Sequence, residues 1–479
     1  MALVPISLGV RSNPSRHAKQ AGNARLINCF AEEIGEEGKT QWVITACAGL
    51  ETFGVSMGTG AVRGALEVGN FLYVVAGQYL LKVDKAGNFE TIGPIPTTGP
   101  VYMRRNRADP VQIGIVSDSY YAVCEDDVLT EISDPDLPAP AALAYLDGYG
   151  ILPGVNTNGH YMITAIDDFT AIDGLDEGTA EADPDPIVVS HELGREVYHF
   201  GTKTTEAHQN TGDEDFPFTR SQVIDVGCAA KGSVWPVDTP NGKALMFIAH
   251  DHTVRLLMGY STAIVSTGEI DDLIRQMAES RRLDEIEATS WSWGGRSFYE
   301  LSSDTWTRVY DSKTGYWHER ASYLQDRWNI GKVISFAGML IAGDATTGQL
   351  YRMRDDLYDE AGQPIVMEII TPPVHMFPYG GIINALYPDI VSGVGLNTTA
   401  PQNLDPVATI DWSKDGGESW SSPREVKLHR LGQTGRRVQP LTRMGRFGSK
   451  GVIFRIRVSA AVKRIVLSMQ ADIEQLAVG

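Results

Sequence analysis

Residues 71–84 read FLYVVAGQYLLKVD: an apolar run, Gly77-Gln78, then a second apolar run. That is the pattern of two short β-strands joined by a tight turn. The arrangement recurs. YYAVCEDDVLTEIS (120–133) turns at Glu125-Asp126-Asp127, YMITAIDDFTAID (161–173) at Asp167-Asp168, and EVYHFGTKTTEAH (196–208) at Gly201-Thr202-Lys203. MFIAHDHTVRLLM (246–258), SFYELSSDTWTRVYD (297–311) and MLIAGDATTGQLYRM (339–353) continue the series. Most neighbours lie about 35 to 50 residues apart, the spacing of blade-type repeats. One such hairpin cannot bury both its faces, whereas four-stranded sheets stacked radially around an axis can. The fold class is therefore read as all-β, with a β-propeller over residues 61–360. Seven hairpins leave the number of blades open, because one blade can hold two of them.

Three stretches depart from this pattern. GEIDDLIRQMAESRRLDEIE (268–287) places Ile270, Leu273, Ile274 and Met277 at helical spacing and predicts one amphipathic helix inserted between blades. Its apolar face needs cover from its own propeller or from a neighbouring subunit. DDFTAIDGLDEGTAEADPDP (167–186) is densely acidic and is expected to leave its hairpin as a solvated loop. Beyond residue 360 the strands lengthen, as in VATIDWSKDGGESWSSPREVKL, which predicts a separate antiparallel, sandwich-like domain over 361–479. Residues 1–60 carry weak periodicity and are expected to form an arm, or strands packed on another domain or subunit.

The 479 residues carry 41 lysines and arginines against 60 acidic residues, a net charge of -19. Such a chain resists casual association with nucleic acid. The four cysteines (Cys29, Cys47, Cys124, Cys228) form no C-x-x-C pair and read as reduced, buried thiols. The N-terminus lacks the basic segment of a secretory signal, and no apolar run approaches the ~20 residues of a membrane span. Folding in a cytoplasm, without stable membrane insertion, is expected.

The motif with the strongest chemical association is Ser413-Lys414-Asp415-Gly416-Gly417-Glu418-Ser419-Trp420, the S-x-D-x-G-x-x-W Asp-box of sialidases and related propellers. It also has a purely structural rationale. Asp415 can accept N–H bonds in its own turn, the glycines permit positive φ, and Trp420 can pack back, with Trp412 as its partner. A sialidase needs an arginine group, a tyrosine nucleophile and an acid, and normally several such boxes. This one lies outside the propeller region, and Ser413, Asp415, Gly417 and Trp420 are read as a structural turn. The carboxylate pairs Asp126-Asp127, Asp167-Asp168 and Asp271-Asp272 read as solvated turns instead of a glycosidase pair. His250-Asp251-His252 and TGDEDF (211–216) lack a complete metal-ligand set. No catalytic, cofactor or metal residue is assigned.

Charge is distributed unevenly. Between Trp412 and Arg464 there are thirteen basic residues against Asp415, Glu418 and Glu425. Arg436, Arg437, Arg443 and Arg446 sit in loop-like sequence and, with Lys450, are candidates for interface or phosphate contacts.

Several segments, in order, resemble one family. They are ARLINCFAEE (ending at residue 33), GAVRGALEVGNFLYVVAGQYLLKV (60–83), TAIDGLDEGTAEADPDPIV (170–188), NTGDEDFPFTR (210–220) and VGCAAKGSV (226–234). TWTRVYDSKTGYWHERAS (305–322), GDATTGQLYRM (343–353) and DWSKDGGESWSSPREVKLHRLGQTGRRV (411–438) complete the set. Together they resemble the tail nozzle, or packaged-DNA stabilisation, proteins of short-tailed bacteriophages. One departure is Ala48, where the family commonly has proline before Gly-Leu. The resemblance implies a non-enzymatic virion tail protein without cofactors, assembled in the host bacterial cytoplasm. It implies a self-assembled ring, usually of six copies, below the portal and adaptor. Needle, spike or fibre proteins are its other partners, and double-stranded DNA passes through without sequence-specific binding. In such a ring the acidic loops would line the channel and the basic C-terminal region would dock an acidic partner. The competing expectation is a propeller-type glycan-binding protein or glycosidase on the virion surface.

Overall fold

The computed structural model describes residues 3–15, 22–35, 38–155, 157–434 and 439–476. In Phe71–Ala76 successive side chains point to opposite faces of the sheet, and both faces are covered. Leu72, Val74 and Ala76 pack with Phe336 and Ile341, whereas Tyr73 and Val75 pack with Met103 and Ile113. A strand apolar at both parities has to lie between two other sheets. Gly77 reverses the chain at φ +55°, where a Cβ would lie 1.6 Å from the Thr59 carbonyl oxygen, so the turn requires glycine.

The same logic builds a seven-bladed propeller. Blade 1 runs through Val62–Val68, Phe71–Ala76, Tyr79–Val83 and Phe89–Pro94. Blades 2 to 6 occupy residues 102–131, 144–179, 187–224, 235–264 and 287–319, each a four-stranded antiparallel meander. Blade 7 takes three strands from 330–354 and its outer strand, Gly49–Phe53, from the N-terminal region. Neighbouring blades follow chain order, and the first strand of blade 7 meets the first strand of blade 1. One apolar cluster fills each gap between blades. Each of the seven hairpins legible in the sequence falls in a different blade.

The helix between blades 5 and 6 is Gly268–Glu279, shorter than the periodicity over 268–287 suggests. Arg281 adopts φ +56° and a short 3-10 turn, Leu283–Glu285, follows. Ile270, Ile274 and Met277 pack on Trp306, Tyr310 and Trp317, so the helix covers its own propeller. The acidic stretch is also corrected. Asp168–Thr179 is not a loop but the outer strand of blade 3, with bulges. An outer strand has one solvated side, so acidic side chains do not prevent its pairing. Beyond it, buried Asp185 accepts the backbone N–H groups of Lys203 (2.6 Å) and Thr204 (3.2 Å), pinning the 180–186 connection to blade 4.

The C-terminal region is a β-sandwich. One sheet runs Cys29–Glu33, Trp42–Ala46, Ile465–Gln475, Gly381–Ile390, Leu441–Phe447, with Val4–Ile6 also on Ile465–Gln475. The other runs Arg25–Ile27, Met367–Ile370, Ile453–Val458, Val407–Ser413, Arg424–Lys427. Ile369, Ile383, Leu386, Ile410, Phe454 and Ile456 fill the space between them. Arg25–Ile27 also lies parallel to Tyr316–Glu319, the outer strand of blade 6, so a nine-stranded sheet runs from the propeller into the sandwich.

Candidate functional site

At the junction Arg25 donates to both carboxylate oxygens of Glu319, at 2.8 and 2.5 Å. Arg308 lies 3.4 Å from Glu319 and donates to Glu269 at 2.5 Å. Burial alone would raise the Glu319 pKa; Arg308 and Arg25 outweigh it and hold the carboxyl below its ordinary value. Asn28 donates to the carbonyls of Ala321 (2.9 Å) and Val366 (3.0 Å), tying blade 6 to the sandwich. Propeller and sandwich are therefore linked by backbone and by charge. Nothing in the local sequence around residues 25 or 319 announces this joint.

The Asp-box closes upon itself. Ser413 Oγ donates to Asp415 Oδ1 (2.6 Å) and accepts the Gly417 N–H (2.8 Å). Asp415 accepts the N–H groups of Glu418 and Ser419 at 3.0 Å each, and the Ser419 hydroxyl. The bonds from Ser413 and Ser419 hold the Asp415 pKa well below the usual carboxylate range. Gly416 and Gly417 take φ +90° and +97°. The expected Trp412–Trp420 pairing is replaced: the Arg455 guanidinium lies over Trp420 at 4.1 Å and that of Arg424 over Trp412 at 5.1 Å. Cations meet ring faces here because the buried Asp411 carboxylate draws Arg455 (2.6 Å) across the sheet.

The basic run separates into inner and outer members. Arg464 is buried, donates to the carbonyls of Ile365 and Tyr358 (3.2 Å to the latter), and burial lowers its pKa to about 10. Arg455 and Arg457 both hold Asp411. Arg443, Arg446 and Lys450 are exposed and make no ion pair among the described residues. Arg443 and Arg446 stand not in a loop but on the strand Leu441–Phe447, the outermost of its sheet among the described residues, where Arg424 donates to the Thr442 and Arg443 carbonyls and Lys414 to that of Met444 (3.0 Å). A bulge opposite Asn384 leaves Arg443 at φ +61° and Gly445 at +82°, twisting this edge. Arg436 and Arg437 lie outside the described residues.

The other motifs are locally engaged. Asp127 accepts Tyr73 (2.8 Å) and Lys82, Asp167 accepts Tyr145 (2.7 Å), and Asp272 holds Arg275 (2.6 Å). Asp251 accepts Thr253 and Arg255; against the effect of burial, these bonds lower its pKa to about 2. Among the described residues no group of three or more His, Cys, Asp or Glu side chains could hold a metal ion, and no helix is long and apolar enough to cross a membrane.

A cavity of about 160 Å³ lies among the first strands of six blades, lined by Ala65, Met103, His191, Trp235, Thr289 and Lys332. Arg104 pairs there with Glu192 (2.7 Å), and Lys332 pairs with Glu287 (2.7 Å) over the Trp235 ring. A nucleic-acid duplex cannot thread a single wheel.

A seven-bladed propeller continuous with a sandwich through shared strands defines a two-domain, all-β protein. Residues 23–358 match the family described as bacteriophage P22 Gp10, beta-propeller, and residues 383–474 match bacteriophage P22 Gp10, beta-sandwich. The chain belongs to this family of bacteriophage structural proteins. Solved structures that align with it include virginiamycin B lyase from Staphylococcus aureus (10% identity, 62% of this chain and 95% of that one, TM-score 0.43). Another is the Pan2 WD40 domain of Neurospora crassa (10% identity, 64% and 95%, TM-score 0.40). No curated protein matches.

Proposed function

We propose that this chain is the subunit of a tail nozzle: a non-enzymatic ring of six copies that extends the portal and adaptor channel of a short-tailed phage. The ring retains packaged DNA and conducts it during ejection, without sequence-specific binding and without membrane insertion. Its other face meets needle, spike or fibre proteins, and the subunits assemble in the host cytoplasm. The observation that carries this reading is the family match over both domains. Two physical features support it. The shared nine-stranded sheet makes the two domains a single stiff building block. The cavity among the first strands, about 160 Å³, is far too small for a duplex, so a DNA-sized channel has to be bounded by several copies. With a net charge of -19, such walls would repel the DNA backbone within about 8–10 Å, so DNA would slide without adhering.

Mass photometry of the purified chain, with and without its adaptor ring, tests this. A discrete ring is expected; a chain that stays monomeric in both conditions refutes it. Turnover of sialylated or capsular glycans would instead restore the glycosidase reading.

A further inference from the structure

Between residues 108 and 194 the sequence has eighteen acidic side chains and no lysine or arginine. This span runs from the second strand of blade 2 through blade 3 to the first strand of blade 4; the exposed Arg105 and Arg107 lie just before it, and Arg107 faces Asp167 at 3.9 Å. The outer strand of blade 3 exposes Asp173 and Glu177, and Leu175 between them is 86% exposed. Ile166, on the turn into that strand, is 63% exposed. The sandwich, in contrast, holds the exposed Arg443 and Arg446 on its outermost strand and the exposed Lys450 just beyond it. Phe377, 74% exposed, stands on the turn leading into the strand that pairs with that edge.

The topology sets these two surfaces far apart. The sandwich joins the wheel through the outer strand of blade 6. Blades 2 and 3 are each three steps from blade 6, by opposite paths, the greatest separation seven blades allow. Within the sandwich, Leu441–Phe447 is the fifth strand out from Cys29–Glu33, whose Phe30 and Ala31 touch blade 6. At about 4.8 Å per strand that edge lies roughly 19 Å further out. The sandwich edge carries exposed cations and the outer strand of blade 3 exposed carboxylates, and each has exposed apolar side chains beside it.

We propose that the basic sandwich edge of one copy docks on the acidic outer strand of blade 3 of the next copy. This rests on the ring reading above and specifies which surfaces close the ring. A two-fold, self-complementary contact through either surface would oppose like charges, whereas a head-to-tail contact pairs unlike ones and generates rings when the rotation closes. Leu175 and Ile166 favour a protein partner: an acidic wall facing DNA gains nothing from exposed leucine, whereas a contact can bury it. A duplex is the other anion the arginines could meet, and the test separates the two.

The full-length chain is compared with Arg443→Glu/Arg446→Glu/Lys450→Glu, with Asp173→Lys/Glu177→Lys, and with the chain carrying both sets. Mass photometry reads assembly at low and high salt, and circular dichroism confirms folding. Each single reversal is expected to raise the concentration needed for assembly at least tenfold, and the combined reversal to restore it. Mixing the two singly reversed proteins is expected to restore assembly through alternating subunits, which a merely misfolded variant could not do. Assembly indifferent to both reversals, or a mixture that stays apart, overturns the docking surfaces while leaving the ring intact. Loss of duplex-DNA binding with unchanged assembly in the arginine variant also overturns it, in favour of phosphate contact. Failure of the parent chain to assemble in any condition, adaptor included, removes both this inference and the ring.

Discussion

Glu319→Ala tests whether propeller and sandwich unfold as one body. The carboxylate is 4% exposed, accepts two bonds from Arg25 at 2.8 and 2.5 Å, and lies 3.4 Å from Arg308. Hydrogen bonds to charged groups contribute about 1.5–3 kcal/mol each, so the two Arg25 bonds set an upper limit of about 6 kcal/mol. Two features lower it. The Arg25 side chain is 36% exposed and regains water, and Arg308 keeps Glu269 at 2.5 Å. A loss of about 3 kcal/mol remains, roughly a hundredfold in the equilibrium between joined and parted domains. Urea unfolding followed by tryptophan fluorescence, with limited proteolysis, is the assay. The parent is expected to unfold in one transition and the variant in two, with cleavage appearing in the 355–366 connection. The pH dependence has a definite sign. Because the folded Glu319 pKa lies below its ordinary value of 4.5, its contribution is full above that value and is lost as pH falls through the folded pKa. The difference between parent and variant should therefore shrink in acid. A single transition at an unchanged midpoint at pH 7 would refute the assignment of this pair as the joint.

Three further outcomes follow from the structure. Glu300 is fully buried in blade 6, neither carboxyl oxygen has a protein hydrogen-bond partner, and burial raises its pKa to about 8; its stabilising effect is complete below 4.5 and lost as pH rises through 8. Glu300→Gln should flatten that slope and stabilise the chain at pH 8 by about 3–5 kcal/mol in thermal melts, and an unaltered pH profile would refute it. Ile274→Ala removes a fully buried side chain between the helix and the tryptophans of blade 6; a cost of about 2–5 kcal/mol is expected in urea melts, and one under 1 kcal/mol would mean that the helix does not seal the core. Asp185→Ala should cost about 1.5–3 kcal/mol and speed hydrogen exchange at Lys203 and Thr204, with unchanged protection ruling out the anchor.

The propeller was legible because its hairpins are apolar at both parities, a local property that survives without knowledge of the partner sheets. Most residues filling the seven gaps between blades lie in the apolar runs of 71–353, but Phe30, Cys47, Leu50, Phe53, Met57 and Val62 come from before them. The helix was legible from its spacing, though its end was not, since Arg281 stops it by a backbone conformation. Gly49–Phe53 gave no comparable signal. Only Leu50 and Phe53 of its apolar residues are buried, and its partner is Leu350–Arg354, some three hundred residues away. The acidic strand Asp168–Thr179 read as a loop because composition reports solvation, and an outer strand is both solvated and paired. Of the candidate basic residues, Arg443, Arg446 and Lys450 are exposed, the first two on a strand and not in a loop, and charge in the sequence could not separate them from Arg464, which is buried.

The order of strands, their two apolar faces and the Asp-box turn were determined by the sequence itself, because each depends on residues within about a dozen positions of one another. The blade number, the closure of the wheel and the nine-stranded sheet were decided only in three dimensions. So was the placing of exposed cations and exposed carboxylates on strands far apart. Each of these depends on pairing between segments hundreds of residues apart, where no local periodicity records which strand will supply the missing edge.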